Sequence, residues 1–525
     1  MIMRTNIAIY LTIIALSAPI LRAQTPLKTW DELEGEFNYP SIEFAISEKA
    51  KARRVSLYDY GETFSERIAL AENLEMIQAN RVYLKRLPAT LVGMQRLQWL
   101  ELRFNWIAEL PDELANIAEL RRLDVRGNWF EAFPKAIPNM PKLLYLDIAQ
   151  NKIDSLPDNI RQCSLLTHLD LSKSKYKALP PLLGTLDKLQ YLDISYNQIP
   201  ALPTNFTNFK ALRYLNISQN PLKNTKTLSK DIGNFAQLEQ LYIGGIGLVS
   251  LDKTFYALTQ LRVLNLDGNK LERVAPELGK FTLLESLDLS GNKLDSLPEN
   301  TISKLQNLTY LNLEANKLTV LPADLGKLPL LKKLNIGVNS FQSLPNSIGD
   351  LAALEELSVI NTPLKSLPTT FKNLNITSLK LGYSRSLSQD QAFGVIALMP
   401  KLEYFSLRTC YFRTLSAKIS VLSKLATLVE LDLYDNLFKE IPASIGQLKQ
   451  IKILRLGSNE LKTIPATIGD MISLEFLDLG DNELKTIPDN LKNLKNLKHI
   501  IIGGNPLPKE TVAQLKEWFP NAIVQ

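Results

Sequence analysis

A repeat of 23 residues governs most of this chain and constrains its fold more than any other feature. The segment from Leu97 to Pro111 follows the frame L-x-x-L-x-L-x-x-N-x-L-x-x-L-P. Adding 23 to each number returns the frame at Leu120–Pro134, with Val and Phe at some apolar positions, and again at Leu143–Pro157. Repetition at such a period indicates a solenoid, whose units stack to bury one continuous core.

We count nineteen copies of this frame. Three copies follow a spacing of 26 residues, and most of the others follow a spacing of 23. The alternating apolar residues of each copy predict a strand that buries one face. Apolar residues three apart in the second half, such as Leu114 and Ile117, predict a short helix or 3₁₀ turn against the same core. The copies begin at residues 74, 97, 120, 143, 166, 189, 212, 238, 261, 284, 308, 331, 354, 376, 402, 428, 451, 474 and 497.

The frame resembles the leucine-rich repeat family across about residues 74–508. The strings "SIGDL", "DLGKL", "SIGQL" and "TIGDM" after the Leu-Pro step are similar to its 23-residue bacterial and Ras-group (LPxxIGxL) subclass. The resemblance implies an α/β solenoid, a right-handed horseshoe-shaped superhelix with a concave parallel β-sheet and convex short helices or 3₁₀ turns. In bacterial members that are ubiquitin ligases or GTPases, the activity lies outside the repeats. We therefore expect a protein that is not an enzyme.

The Asn of the frame has a structural explanation. Where the chain leaves each strand, buried backbone groups lose their sheet partners, and an inward amide can bond them as donor and acceptor. We expect an asparagine ladder that weakens at Val82 and Ile246, which cannot form hydrogen bonds through their side chains. Thirteen copies carry the residue, namely Asn105, Asn128, Asn151, Asn197, Asn220, Asn269, Asn292, Asn316, Asn339, Asn436, Asn459, Asn482 and Asn505. The six others carry Val82, Ser174, Ile246, Thr362, Ser384 and Cys410.

The chain divides into four parts. Residues 1–23, with Arg4 before an apolar stretch, predict a signal peptide and hence export, although an uncleaved anchor is the alternative. Residues 24–73 form an N-terminal cap with a helix from Ser41 to Ala50 and a first strand. Residues 74–508 are repeats, irregular at 376–427, where a capping box from Ser388 to Gln391 predicts one helix. A second helix is expected near 416–425. Residues 509–525 form a C-terminal cap.

Composition narrows the possible functions. The net charge of +6 over 525 residues is too weak for a nucleic-acid partner, and no apolar stretch after the signal is long enough to span a membrane. Two cysteines and two histidines leave little for a metal site, a cofactor or a catalytic set, and we expect none. Cys163 and Cys410 take inward positions in distant repeats, so both should be buried, unpaired thiols.

The residues between the inward leucines should face the concave side. We count positions from the first Leu of each repeat, which is position 0. Position 2 carries a mainly aromatic series, and position 4 carries an acidic series. Because neighbouring parallel strands are about 4.8 Å apart, each series would be nearly continuous along the sheet. Because Asp or Asn recurs at position 4 in later repeats, the acidic series has a second explanation as repeat consensus. The candidate ligand-binding residues are Trp99, Arg103, Arg122, Arg126, Tyr145, Asp147, His168, Asp170, Tyr191, Asp193 and Tyr214.

These observations favour an exported, non-enzymatic scaffold that binds a protein or peptide on its concave sheet. Exposed aromatics beside carboxylates also suit sugars, so a glycan-binding module of the cell envelope is an alternative. A regulatory repeat protein in a signalling pathway is another. An exported protein of this kind would lie in the periplasm, on the outer surface or outside the cell.

Overall fold

The computed structural model describes residues 27–58 and 65–525, so the predicted signal peptide lies outside the described residues. Within them, twenty-two short strands form one parallel sheet in which each strand pairs with the next along the chain. The strands are β1 (Asn38–Tyr39), β2 (Arg54–Ser56), β3 (Met76–Gln78), β4 (Trp99–Glu101), β5 (Arg122–Asp124), β6 (Tyr145–Asp147), β7 (His168–Asp170), β8 (Tyr191–Asp193), β9 (Tyr214–Asn216), β10 (Gln240–Tyr242), β11 (Val263–Asn265), β12 (Ser286–Asp288), β13 (Tyr310–Asn312), β14 (Lys333–Asn335), β15 (Glu356–Ser358), β16 (Ser378–Lys380), β17 (Tyr404–Ser406), β18 (Glu430–Asp432), β19 (Ile453–Arg455), β20 (Phe476–Asp478), β21 (His499–Ile501) and β22 (Ile523–Val524).

The repeat frame sets the register of this sheet. Strands β3 to β21 each occupy positions 2 to 4 of one of the nineteen repeats, so equivalent residues lie side by side. Tyr145, for example, pairs with Arg122 on one side and with His168 on the other. The middle residue of each strand, such as Leu146, points into the core and is fully buried. The sheet does not close on itself, which gives an open solenoid with the α/β architecture that the sequence predicted.

The opposite side of the solenoid carries short helical segments. Five α-helices are present in the described residues, namely α1 (Trp30–Glu34), α2 (Ile42–Ser47), α3 (Thr225–Ile232), α4 (Gln389–Ile396) and α5 (Lys509–Trp518). Most repeats have a 3₁₀ helix instead, at Glu66–Leu70, Ala89–Gly93, Asp112–Asn116, Ile137–Asn139, Asp158–Gln162, Pro181–Thr185, Phe206–Asn208, Lys253–Ala257, Pro276–Lys280, Ile302–Lys304, Ala323–Lys327, Asn346–Asp350, Thr369–Asn373, Ala417–Lys424, Ala443–Gln447, Ala466–Asp470 and Asp489–Asn493.

Among the repeats themselves, the three of 26 residues contain the longest helical segments. Each carries an eight-residue helix, namely α3, α4 or the 3₁₀ helix at Ala417–Lys424, where other repeats have three to five residues. Three extra residues supply one more 3₁₀ turn, so the insertion lengthens the convex segment and leaves the sheet unchanged. The helix expected after Ser388 is confirmed, and the one near 416–425 is 3₁₀ rather than α-helical. Helix α3 was not foreseen.

The predicted capping box at Ser388 is wrong. Ser388 occupies the N-cap of α4, but its side chain makes no capping hydrogen bond. The Gln391 amide instead accepts from the Leu367 N–H at 2.9 Å and donates to the Leu367 carbonyl at 2.7 Å. These two hydrogen bonds use both the oxygen and the nitrogen of the Gln391 side-chain amide, whereas a capping box would use the oxygen alone. Gln391 therefore ties α4 to the preceding repeat.

The asparagine ladder is present, and it compensates for two of its missing members. Asn292, a regular member, accepts from the Leu271 N–H at 3.0 Å and donates to the carbonyls of Leu266 and Leu289. The expected weakness at Val82 is not found, because Asn105 Oδ1 accepts from the backbone N–H of both Val82 and Leu84 at 3.1 Å. The same arrangement bridges Ile246, where Asn269 Oδ1 accepts two backbone N–H groups.

Both ends of the solenoid carry a helix. Helix α2 begins after Ser41, whose side chain accepts from the Phe44 N–H, and α5 precedes the last strand. Helix α1 was not foreseen, and it lies against the sheet face of β3 and β4. No helix among the described residues is long and apolar enough to cross a membrane. Cys163 and Cys410 are both buried and unpaired, as predicted.

Candidate functional site

A closely packed stack of aromatic rings runs along the concave face at position 2 of successive repeats. We call Tyr145, His168, Tyr191 and Tyr214 the aromatic column. Successive ring centroids are 4.0, 3.9 and 4.0 Å apart, and the planes are within 13° of parallel. Because each residue belongs to a different strand, the parallel pairing of β6 to β9 sets this geometry.

Arg122 extends the aromatic column towards the N-terminus. Its guanidinium lies 3.6 Å from the centre of the Tyr145 ring and 4.5 Å from the Trp99 ring. Such contacts are attractive because the ring faces carry negative charge density. Tyr242 lies at the other end, with its ring 5.3 Å from that of Tyr214 and tilted by 39°. The stack thus spans seven strands, from β4 to β10.

Trp99 does not belong to the accessible part of this face. It is 5% exposed and clusters with Met76 on the sheet and with Leu33 of α1. Trp30, also in α1, lies with its ring 6.2 Å from that of Trp99. A ligand could reach Trp99 only by displacing α1, so we remove Trp99 from the candidate surface. Arg122, the next member of the series, borders α1, with its guanidinium 5.9 Å from the centre of the Trp30 ring.

Three polar contacts hold this N-terminal segment on the sheet, and one of them is made by Arg54 of β2, whose guanidinium donates to the Glu34 carbonyl at 2.7 Å. The Lys28 N–H donates to Glu75 Oε2 at 2.8 Å, and the Lys28 carbonyl accepts from the Gln98 amide at 2.9 Å. Glu75 is fully buried and also pairs with Arg96 at 2.6 Å. A short piece of peptide is therefore bound on the concave face through its backbone and through two apolar side chains, Trp30 and Leu33.

The carboxylates at position 4 have a structural task. In β6 to β8, one oxygen of Asp147, Asp170 or Asp193 accepts from the backbone N–H two residues later, at 2.9 to 3.1 Å. Asn216 and Asn312 make the same bond in later repeats. This hydrogen bond explains why Asp or Asn recurs at the position, and it favours the consensus interpretation of the acidic series.

Burial alters the proton affinity of these carboxylates. We call Glu101, Asp124, Asp147, Asp170 and Asp193 the acidic column, and all five are buried. Burial, followed by the charges of Asp124 and Asp170, raises the pKa of Asp147 to about 8. Burial also raises the pKa of Asp170 and Asp193.

Two arginines offset part of the charge of the acidic column. Arg103 contacts Asp124 at 2.7 Å and Glu101 at 3.2 Å. Arg126 lies 3.3 Å from Asp170 and 3.5 Å from Asp147. Because five carboxylates face two guanidinium groups, the column favours protonation of some of its members. Arg103 and Arg126 thus serve the interior of this face as ion-pair partners.

His168, the one imidazole in the aromatic column, is poorly placed to act as a general base. Burial and then the charge of Arg122 lower the pKa of His168 to about 3, so its ring is neutral and stacked between two tyrosines. A neutral imidazole at this pKa is a poor general base near pH 7. No group of three or more His, Cys, Asp or Glu in the described part of the chain could hold a metal ion.

A second set of aromatic residues escaped the sequence interpretation. Tyr83, Trp106 and Trp129 lie at the rim of the sheet, directly after the asparagine-ladder position of three consecutive repeats. Their rings follow one another at 4.7 and 5.6 Å. The sequence does contain a signal for this set, because "NW" occurs twice at the same point of the frame. These residues lie in the turns, however, and not on the strands where the aromatic column was expected.

Comparison with known proteins identifies the repeat. The family model described as a leucine-rich repeat region matches residues 131–247, 271–381 and 375–517, and a second leucine-rich repeat model matches 236–294. The chain belongs to the leucine-rich repeat family. No curated protein matches this leucine-rich repeat chain by sequence.

Solved structures show the same fold at low identity. A TDR receptor is 21% identical with a TM-score of 0.61, covering 91% of this chain and 90% of its own. The plant peptide hormone receptor RGFR1, solved with RGF2, is 21% identical with a TM-score of 0.54, covering 93% and 87%. YopM from Yersinia enterocolitica is 24% identical with a TM-score of 0.53, covering 84% of each chain. These leucine-rich repeat structures support the solenoid fold.

Proposed function

We propose that this leucine-rich repeat protein is an exported, non-enzymatic scaffold that binds a protein or peptide partner along its aromatic column. The observation that carries the proposal is the position of α1. A segment of the chain itself lies on the first two repeats of this face, with Trp30 and Leu33 packed on Met76 and Trp99. The face can therefore accommodate peptide backbone and large side chains together.

The uncovered part of the face continues the same surface. From Arg122 to Tyr214 the side chains at position 2 are half-buried, as is Tyr242 at position 4 of the next repeat, and the rings support one another at contact distance. Rigid tyrosines lose little conformational entropy on binding, which is why tyrosine is enriched in protein interfaces. Ser172, Ser195 and Ser218, at position 6 beyond the acidic column, are buried, so the rings are the large side chains of this part of the face.

The remaining parts of the proposal rest on separate observations. The proposal of export rests on residues 1–23. An exported protein would lie in the periplasm, on the outer surface or outside the cell. The "LPxxIGxL" frame favours a bacterial source. The non-enzymatic role is in keeping with the neutral, stacked His168. RGFR1 was solved in complex with RGF2, which illustrates that a solenoid of this family can bind a peptide hormone.

The test compares three variants in capture from an envelope extract. Replacing Tyr145, Tyr191 and Tyr214 by Ala should abolish capture of the partner, because interface aromatics often contribute about 2 kcal/mol each, or roughly ten-thousandfold in affinity together. A Tyr→Phe triple at the same positions keeps the stacked rings without their hydroxyl groups, and the melting temperature of each variant shows whether a loss of capture is a folding defect. Replacing the exposed Lys188, Lys210 and Gln237 by Ala is the control outside this face.

Two outcomes would overturn the assignment. If the Ala triple still captures the partner while the Lys188, Lys210 and Gln237 variant does not, the binding surface lies outside the concave face. If the Ala triple loses capture only because its melting temperature falls below that of the assay, whereas the stably folded Phe triple captures normally, the column is packing rather than a contact surface.

A further inference from the structure

The rim of the N-terminal repeats carries a second aromatic surface. We call Tyr83, Trp106 and Trp129 the rim ladder. Tyr83 is 46% exposed and Trp129 is 48% exposed, far more than the half-buried rings of the aromatic column. Each lies in the turn after its strand, and Trp106 is half-buried between the other two rings. Large aromatics at this exposure mark contact surfaces more often than packing.

The rings of the rim ladder overlap differently from those of the aromatic column. Non-bonded atoms approach no closer than about 3.5 Å, so two nearly parallel rings 5.6 Å apart, such as Trp106 and Trp129, are offset by roughly 4 Å. In the aromatic column, a separation of 4.0 Å leaves an offset of roughly 2 Å. The rim rings therefore overlap like tiles and leave part of each face open, whereas the column presents ring edges.

A groove of about 890 Å³ lies beside Trp129. Its walls are residues 108–113 and 131–135 of two successive repeats, with Arg86 and Lys152 at its sides. This volume lies near the upper end of the range for small-ligand sites. It therefore suits a chain of several sugar rings rather than one small molecule. Trp129 is the member of the rim ladder that lines this groove.

The charges that line this groove are nearly balanced. The cations are Arg86, Lys135 and Lys152, and the carboxylates are Glu109, Asp112, Glu113 and Glu131. Lys152 lies 3.6 Å from Glu131 and 6.0 Å from the centre of the Trp129 ring. A strongly charged ligand would therefore meet repulsion as well as attraction, whereas an uncharged ligand with many hydroxyl groups would find both donors and acceptors.

We propose that the rim ladder and its groove bind a neutral oligosaccharide. The C–H face of a pyranose ring packs on the open face of Trp129, and its hydroxyl groups bond the carboxylates and ammonium groups of the groove. Successive rings of the ladder continue this surface along the solenoid. The site is separate from the aromatic column, so it does not depend on the function proposed for that column.

The test measures binding of defined saccharides to the whole protein. Isothermal titration uses cellohexaose, chitohexaose and maltohexaose as neutral probes, polygalacturonate and heparin as anionic probes, and an acidic peptide as a protein-like probe. We expect at least one neutral hexasaccharide to bind, and we expect Trp129→Ala to weaken its affinity at least tenfold. Trp129→Tyr keeps an aromatic face and should weaken it less.

Matched controls separate this site from the rest of the surface. Tyr196→Ala removes an aromatic residue of similar exposure, 54%, that lies outside the groove, and should leave affinity unchanged. Tyr191→Ala with Tyr214→Ala probes the aromatic column and should also leave saccharide affinity unchanged. The proposal is overturned if none of the neutral hexasaccharides binds, if the anionic polymers or the peptide bind more tightly at this site, or if Trp129→Ala binds as the wild type does.

Discussion

Replacing Asn292 by Ala isolates the energetic contribution of one member of the asparagine ladder. Its amide joins two successive repeats, but the carbonyls that it bonds have second donors. The Leu266 carbonyl also accepts from Asn269, and the Leu289 carbonyl also accepts from Asn316. The Leu271 N–H, in contrast, has Asn292 Oδ1 as its acceptor at 3.0 Å and is buried. The substitution therefore leaves one buried donor unpaired, which costs roughly 1–3 kcal/mol.

Urea denaturation followed by circular dichroism measures this loss. Asn307→Ala is the control, because Asn307 is exposed and donates a surface hydrogen bond to the Thr282 carbonyl. We expect Asn307→Ala to change the free energy of unfolding by less than about 0.5 kcal/mol. A neutral Asn292→Ala variant, measured beside this control, would show that the backbone donors of the ladder find other partners and would refute the argument.

Three further predictions follow from buried groups. Since the pKa of Asp147 is raised to about 8, the folded state holds a proton that the unfolded state releases, and this contribution to stability is lost as pH rises from about 4 through 8. Asp147→Asn, which keeps the acceptor for the Ala149 N–H, should raise the free energy of unfolding at pH 8 by roughly 1–3 kcal/mol and flatten its pH dependence, as measured by denaturation at several pH values. Cys163 and Cys410, with pKa raised to about 12 by burial, should resist a water-soluble maleimide in the folded protein and react after unfolding, as mass spectrometry would show. Glu75→Gln should destabilise the fold by about 3 kcal/mol in thermal denaturation, since it leaves buried arginines without their carboxylate.

The fold follows from the sequence because one rule repeats nineteen times. The inward leucine, the strand around it and the asparagine ladder are each set by residues within one frame, so local pattern and global structure agree. The convex helices follow less directly. The 26-residue spacing before residue 238 announced three extra residues. Leu228 and Ile232, the buried apolar side chains of α3, are four apart, but two apolar residues do not distinguish an α-helix from a longer 3₁₀ segment.

The candidate site was harder to predict because it depends on contacts between distant segments. Thr29 and Glu32 form a capping box that signals the start of α1. The sequence around them does not show that α1 lies across β3 and β4, where it buries Trp99. The acidic column was correctly placed beside the aromatic residues, yet its hydrogen bonds to the backbone became visible only in the structure. These hydrogen bonds favour the alternative explanation, that Asp or Asn recurs at position 4 because it belongs to the repeat consensus.

A photocrosslinking experiment tests the central claim, that the aromatic column contacts a partner. Benzoylphenylalanine placed at position 191 keeps an aromatic ring in the middle of the column, and the same residue at position 188 probes an exposed turn three residues away. Irradiation in the native cell should give one crosslinked partner from position 191 and none from position 188. A partner that crosslinks from position 188 and not from position 191 would contradict the proposed binding face.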